Sequence, residues 1–471
     1  MMISTTILFF LLVSSSTWIN KYCSAQQPLI YDTDHGPFID DIFALGLLLN
    51  SYDLVDMQLI LGTSEQPELS ATCIAAQIKL SGMEGTVPVA MGEELPPYED
   101  RGSVCGIPGI LGFGIEPACR AAFNETDPAD IIEDGVAYAA NLILESERDD
   151  WWYLVVGGQT SLKRLIEEFP EAASKIDTLV VMAGNWCADF EPYPDVMAPT
   201  DETNIGCDPQ AANFVLDGNN IVFNNVYYVP VEVADAIGGD DYAIFVEAAE
   251  SGTQPVAAAT LEFYKLWSEA SRADESLLVH LEAMTYDPET ESTPQFDAMA
   301  VMLVLELLSS EQVCGDDGRF FKNEFEAVHF YENDDPGLQP FPEAPRSAFS
   351  LFSGTVDSTT LPDQCPNITE FTFDPDDTPE AEYPIMVTLG FHSSDAKSAV
   401  FSDMARRMAG EIVLCEDADT VDSPTTTVDS PTAATVDDEG TSPPSATESV
   451  FGRRWIVSIV LLAVATVHLI V

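Results

Sequence analysis

Asp32, Asp34, Asp40 and Asp41 place four carboxylates within ten residues, where the apolar run Leu29-Ile30-Tyr31 gives way to the apolar run Ile42-Phe43-Ala44-Leu45. Side chains alternate faces along a strand, so this spacing puts Asp32 and Asp34 on one face at a strand's carboxyl end. Asp40 and Asp41 then open a helix, whose free N–H groups and dipole favour negative charge. As helix neighbours they are expected to point apart, one toward a cation and the other toward a ligand. Like charges this close repel unless a cation lies among them or one takes a proton. The chemistry this implies is an oxygen-only site for a hard divalent cation. The competing reading is solvated surface charge, because the chain carries 79 Asp and Glu against 18 Lys and Arg, net −61. Position separates the two: a strand-to-helix junction is where open α/β sheets hold their ligands.

The pattern of apolar runs supplies the frame. It predicts strands over 29–31, 57–61, 87–91, 152–156 and 178–182. Helices are predicted over 39–49, near 70–80, over 130–145, from Ser161 onward and over 208–216. Alternation of this kind implies βαβ units, hence an α/β fold with a mostly parallel open sheet and helices on both faces. A single elaborated domain over 27–415 is expected. Trp151-Trp152-Tyr153 reads as core and sheet edge, and 93–128 as a long inserted loop with Cys105 and Cys119 as candidates to close it.

The ends carry different signals. A short apolar stretch at 7–13, followed by Cys23-Ser24-Ala25, reads as a secretory signal over 1–25. Cleavage there leaves eight cysteines, at 73, 105, 119, 187, 207, 314, 365 and 415, an even set suited to disulfides in an exported chain. Asn124-Glu125-Thr126 and Asn367-Ile368-Thr369 are glycosylation sequons. Segment 416–449 is rich in Thr, Ser, Pro and Asp and repeats Thr-Val-Asp-Ser-Pro-Thr at Thr420 and Thr427, the composition of an unfolded stalk. Segment 450–471 ends in an apolar run of seventeen residues preceded by Arg453 and Arg454. Behind an exported N-terminus those arginines would break the positive-inside rule of a spanning helix. A glycolipid-anchor signal is therefore the expectation, with a spanning helix as its rival. The expected location is the outer cell surface, anchored at the C-terminus. No basic stripe exists to neutralise phosphates, which argues against nucleic acid as a partner.

Five segments, in order, resemble the nucleoside hydrolase family, calcium enzymes that cleave the N-glycosidic bond of ribonucleosides. Asp32-Thr-Asp34…Asp40-Asp41 is similar to the family's opening Asp-x-Asp-x-Gly-x-Asp-Asp signature. Val155-Val-Gly-Gly-Gln-Thr160 is similar to its Gly-Pro-Leu-Thr-Asn turn, which implies the Thr160 carbonyl as a metal ligand. Leu179-Val-Val-Met182-Ala-Gly-Asn185 resembles its Val-Leu-Met-Gly-Gly strand. Glu202-Thr-Asn204-Ile-Gly-Cys-Asp208-Pro is similar to its Glu-Phe-Asn…Asp-Pro run, which implies Glu202 and Asn204 as ribose-hydroxyl ligands. Phe296-Asp297-Ala-Met-Ala resembles its His-Asp-Pro-Leu-Ala helix start, making Asp297 the last metal ligand. The chain also departs from the pattern. The two acidic pairs stand two residues further apart than usual. Gly62-Thr63 replaces Gly-Asn and reads as a shorter ribose contact. Phe296 replaces the His associated with protonating the departing base, and Val196 stands where an Asn is usual, with Asn185 as a substitute.

The resemblance implies Ca²⁺ held by Asp34, Asp41, Asp297 and the Thr160 carbonyl. Asp34 is then the candidate base, Asp40, Asn185, Glu202 and Asn204 hold the sugar, and Asp32 orients the others from behind. Asp208 reads as a helix cap. Thr160 and Asp297 could serve as caps as well. The expected partner is a ribonucleoside, with homo-oligomerisation left open. Two other readings stand: an inactive calcium-binding recognition module of the same fold, and a haloacid-dehalogenase-like phosphatase using Asp32 and Asp34.

Overall fold

The computed structural model describes residues 26–36, 39–52, 54–97, 119–121, 131–184, 203–216, 220, 222–230, 236–237, 239–273, 293–309, 321–326, 385–391 and 394–410. The chain divides into the units Met1–Asp417 and Ala418–Val471, and every described residue belongs to the first. The leader, both sequons, the stalk and the apolar tail lie outside the described residues, as do Cys105, Cys187, Cys314, Cys365 and Cys415.

Along the chain run β1 (Gln27–Thr33), α1 (Asp40–Leu49), β2 (Val55–Ser64), α2 (Pro67–Leu80), β3 (Val89–Glu94), β4 (Ile131–Ile132) and α3 (Gly135–Glu145). Then come β5 (Trp151–Val155), α4 (Thr160–Glu168), α5 (Pro170–Ala173), β6 (Ile176–Met182), α6 (Thr203–Cys207), α7 (Pro209–Leu216) and β7 (Asn225–Val229). The remainder is β8 (Ala236–Ile237), α8 (Gly239–Glu250), α9 (Pro255–Ala273), β9 (Thr293–Pro294), α10 (Phe296–Ser309), β10 (Phe321–Glu326), β11 (Ile385–Phe391) and α11 (Ser394–Met408). Among the described residues the main sheet has nine strands in the order β10-β11-β7-β6-β5-β1-β2-β3-β4. Each pairing is parallel except β10 with β11.

β1 lies between β5 and β2 near the middle of the sheet, and all but its first residue are buried. Central parallel strands have both faces covered, and alternation here assigns each side chain to one layer. Leu29 and Tyr31 join the core formed with α1, α2, α8, α9, α10 and α11. Ile30 joins the opposite core with α3, α4, α5 and α7. Helices therefore cover both faces, as the alternating pattern implies. α1 is buried along its whole length, the state expected of a helix apolar all round.

Three sequence expectations change. Trp151, Trp152 and Tyr153 are core residues, but β5 is paired on both sides and is no edge. The helix expected from residue 130 starts at Gly135, because Asp134 caps it by accepting from the Ala137 N–H at 3.1 Å, and β4 precedes it. Cys119 bonds Cys73 on α2, not Cys105. The sequence signal for a loop closed on itself was proximity along the chain, whereas the bond ties that segment to the helix behind the acidic loop. Strands β7, β10 and β11, which extend the sheet beyond β6, have no counterpart among the predicted strands.

Candidate metal and sugar site

The site forms at the carboxyl ends of β1 and β5 and the start of α10. β1 stops at Thr33, so Asp34 lies past the strand and its alternation. Asp32 and Asp34 consequently serve different neighbours. Asp32 is fully buried and accepts from Thr63 Oγ1 and, at 2.9 Å, from the Tyr153 hydroxyl. Burial pushes its pKa up to about 7, against those two hydrogen bonds. Asp34 instead belongs to the charge field of Asp41 and Asp297, raising the pKa of each. The loop leaves β1 through Gly36, whose φ of +125° favours glycine and which faces Cys73 Sγ.

Asp40, Asp41 and Asp297 each bring a carboxylate oxygen within 4.8 Å of the other two, and all three are buried. The expectation that Asp40 and Asp41 diverge is thus corrected. α10 opens against the first turn of α1, and Asp297 meets both neighbours at once. The expected set of Asp34, Asp41 and Asp297 gains Asp40 as a close member, with Asp34 beside them. Burial and mutual repulsion raise the pKa of Asp41 and of Asp297 well above the carboxylate range. For Asp40 burial raises it to about 6, opposed by backbone N–H groups of Asp40, Asp297, Asp41 and Phe296. Thr33 donates to Oδ1 of Asp41, while Asp41 Oδ2 is buried without a hydrogen-bond partner. Buried charge of one sign, an orphaned oxygen and an all-oxygen donor set fit a hard divalent cation.

Thr160 opens α4, and its hydroxyl donates to Asp208 Oδ2 at 2.8 Å. Asp208 also accepts from the Ala211 N–H at 2.9 Å, so it does cap α7. The side chain of Thr160 is thereby committed, which fixes the turn that carries its carbonyl. Asn204 is buried on α6, and its Nδ2 donates to the carbonyls of Val156 at 2.9 Å and Met182 at 3.0 Å. Both amide protons are spent on the ends of β5 and β6, so any bond to a sugar falls to the amide oxygen. Asn185 and Glu202 lie outside the described residues. Phe296 is half-buried at the start of α10, and Gln295 before it is fully buried.

Thr63 was read as a ribose contact. It is fully buried and its hydroxyl is engaged by Asp32 and Ser161, which corrects that reading. Sequence reasoning missed Thr33, Tyr153, Ser161 and Gly157. A Cβ on Gly157 would lie 2.9 Å from Asp34 N and 3.0 Å from Asp34 Oδ1, so the second glycyl turn lets β5 approach Asp34 closely. The Gly-Gly pair at 157–158 was the signal available for that approach; a buried Tyr–Asp bond across strands leaves none.

An open parallel α/β sheet with an acidic oxygen cluster at its carboxyl edge defines the class. Residues 29–375 match the inosine-uridine preferring nucleoside hydrolase family, and the chain belongs to that family. It is 29% identical over 196 residues to the non-specific ribonucleoside hydrolase RihC of Klebsiella pneumoniae, covering 40% of this chain and 57% of the relative. A Salmonella agona protein of the same name is 28% identical over 201 residues, 41% of this chain and 58% of the relative. The matched region thus spans under three fifths of these relatives' length. Among solved structures, an inosine-guanosine nucleoside hydrolase superposes with a TM-score of 0.53 at 14% identity, over 82% of this chain and all of its own. The effector XopQ, solved with adenosine diphosphate ribose, gives 0.51 at 14% identity over 87% of this chain and all of its own. At such identity the likeness is one of fold.

Proposed function

We propose that the chain hydrolyses the N-glycosidic bond of ribonucleosides to free base and ribose, with Ca²⁺ as its cofactor. The observation that carries this reading is the convergence of buried Asp40, Asp41 and Asp297 from two helix starts, beside Asp34. Asp34, Asp41, Asp297 and the Thr160 carbonyl would hold the ion, with Asp40 close enough to share in it. Bound there, Ca²⁺ would lower the pKa of water and fix a ribose diol. Asp34 accepts the proton of the attacking water, a role that needs a carboxylate beside the ion. Asp40, the Asn204 oxygen, Glu202 and Asn185 orient the sugar hydroxyls and favour the oxocarbenium-like state at the anomeric carbon. Asp32, held by two hydroxyls, keeps β1 in place behind Asp34. Of the relatives, the protein named a non-specific ribonucleoside hydrolase supports a broad nucleoside range.

The protein acts, on this reading, outside the cell, held at the surface by a C-terminal glycolipid anchor above its stalk. The disulfide between Cys73 and Cys119 supports an oxidising compartment. No described helix is long and apolar enough to cross a membrane. Release of ribose from inosine and uridine by the purified protein, with and without chelator, tests the activity. Calcium binding without turnover on any nucleoside would replace it with the recognition module.

A further inference from the structure

Beneath the acidic cluster the carboxyl ends of four strands are joined by hydroxyls. The Glu93 N–H donates to Ser161 Oγ at 2.9 Å, and Ser161 Oγ lies 2.5 Å from Thr63 Oγ1. Thr63 Oγ1 in turn donates to Asp32 Oδ1, whose other oxygen accepts from Tyr153. With Asp32 ionised, one assignment of protons satisfies all of these. The Thr63 proton goes to the carboxylate, so the Ser161 proton must go to Thr63, and the Ser161 oxygen is left to accept from the backbone. The run is directed, from an N–H on β3 through α4 and β2 to a carboxylate on β1. Its members are buried, apart from the half-buried Glu93.

Space for it is provided on β3. A Cβ on Gly92 would collide with Thr63 Oγ1 and lie 2.8 Å from Ser161 Oγ. Ser161 adjoins Thr160, and Asp32 is two residues from Asp34, so the run ends beside two groups assigned to the ion.

We propose that Thr63 and Ser161 are positioning residues that set the Thr160 turn and Asp32 at a fixed separation, and through them the geometry of cation binding. This rests on the calcium-site reading above. Both hydroxyls are committed to the run, so they act through Asp32 and the Thr160 turn. Buried hydroxyls in such a run also strengthen one another, so loss of one weakens the rest.

Calorimetric Ca²⁺ binding by the full chain, alongside kcat and KM for inosine, tests it. Thr63→Val keeps the shape and removes the link; Ca²⁺ affinity is expected to fall about tenfold or more, the usual effect of removing a group behind a metal ligand. Ser161→Ala, which breaks the run one step earlier, is expected to weaken binding in the same direction. Thr63→Ser, which keeps the hydroxyl, is expected to restore wild-type affinity, a rescue that loss of packing alone would not give. Thermal unfolding confirms that each variant is folded, and Ser161→Ala decides if Thr63→Val is not. Wild-type affinity in folded Thr63→Val or Ser161→Ala, or a Thr63→Ser no better than Thr63→Val, overturns the inference alone. A wild-type chain that neither binds Ca²⁺ nor releases ribose overturns the functional reading and this inference with it.

Discussion

The Tyr153 hydroxyl donates to Asp32 Oδ2 at 2.9 Å across the β1–β5 pairing, both groups fully inside the sheet. A phenol from one strand thus holds the first carboxylate of the acidic motif on the next. That carboxylate is committed to hydroxyls within the sheet, while Asp34, two residues on, lies in the charge field of Asp41 and Asp297.

This division of labour sets a first expectation. Asp34→Asn should lower kcat by about 10²- to 10⁴-fold, the range for loss of a general base, while the protein stays folded. Ribose release under saturating nucleoside is the measurement. Turnover retained in Asp34→Asn would remove the assignment of the base.

The acidic cluster makes stability depend on pH and calcium together. Asp40, Asp41 and Asp297 titrate higher in the fold than in the open chain, so the native state holds protons longer. Their contribution is present at low pH and is lost as pH rises from about 4, the free carboxylate value, through about 6 for Asp40 and beyond for the other two. Without Ca²⁺ the melting temperature should therefore fall between pH 4 and 7. Ca²⁺ at a hundred times its Kd should return about 2.7 kcal/mol at pH 7. Calorimetry across pH, with and without chelator, reads both.

Asp297→Asn separates repulsion from binding. It removes one of the crowded charges, so the calcium-free variant should be more stable than the calcium-free wild type at pH 7. The same change should abolish stabilisation by Ca²⁺. A variant still stabilised by the ion as strongly as wild type would show that Asp297 only begins a helix.

Gly157→Ala should push Asp34 out of place, since the new methyl meets Asp34 N at 2.9 Å. A cost of about 1–3 kcal/mol is expected from such overpacking, with activity falling further than stability. Gly82, whose added Cβ would meet nothing within 4 Å, is the control: its φ of +71° makes Ala strained there without touching the site.

The Cys73–Cys119 bond closes 46 residues of chain. Replacing both cysteines with Ala should cost about 2–5 kcal/mol, the range for a native disulfide. Denaturant midpoints of the double variant provide the comparison.

Much of the frame was legible because central parallel strands write themselves as short apolar runs. The run at 29–31 became β1, that at 178–182 lies within β6, and the helices from Asp40 and Ser161 start within a residue of expectation. Asp32 and Asp41 stand out because carboxylates at strand ends and helix starts are conspicuous, whereas Asp297 is singled out only by the resemblance to the family's helix start. What stayed hidden depends on contacts between distant residues. Thr63 is 31 positions from Asp32 and 98 from Ser161, and its inward turn has no local signature. The shared approach of Asp40 and Asp41 to Asp297 follows from how two helices meet, which spacing along either one does not state. The partner of Cys119 was missed for the same reason.

Among the described residues the two ends of the main sheet are guarded in different ways. One is the two-residue strand Ile131–Ile132, too short to template another chain. The other is the reversed strand Phe321–Glu326, in which Lys322, Glu324 and Glu326 interrupt the apolar character. Borders of this kind resist strand-by-strand polymerisation. A chain with such borders can reach high local concentration without seeding fibrils.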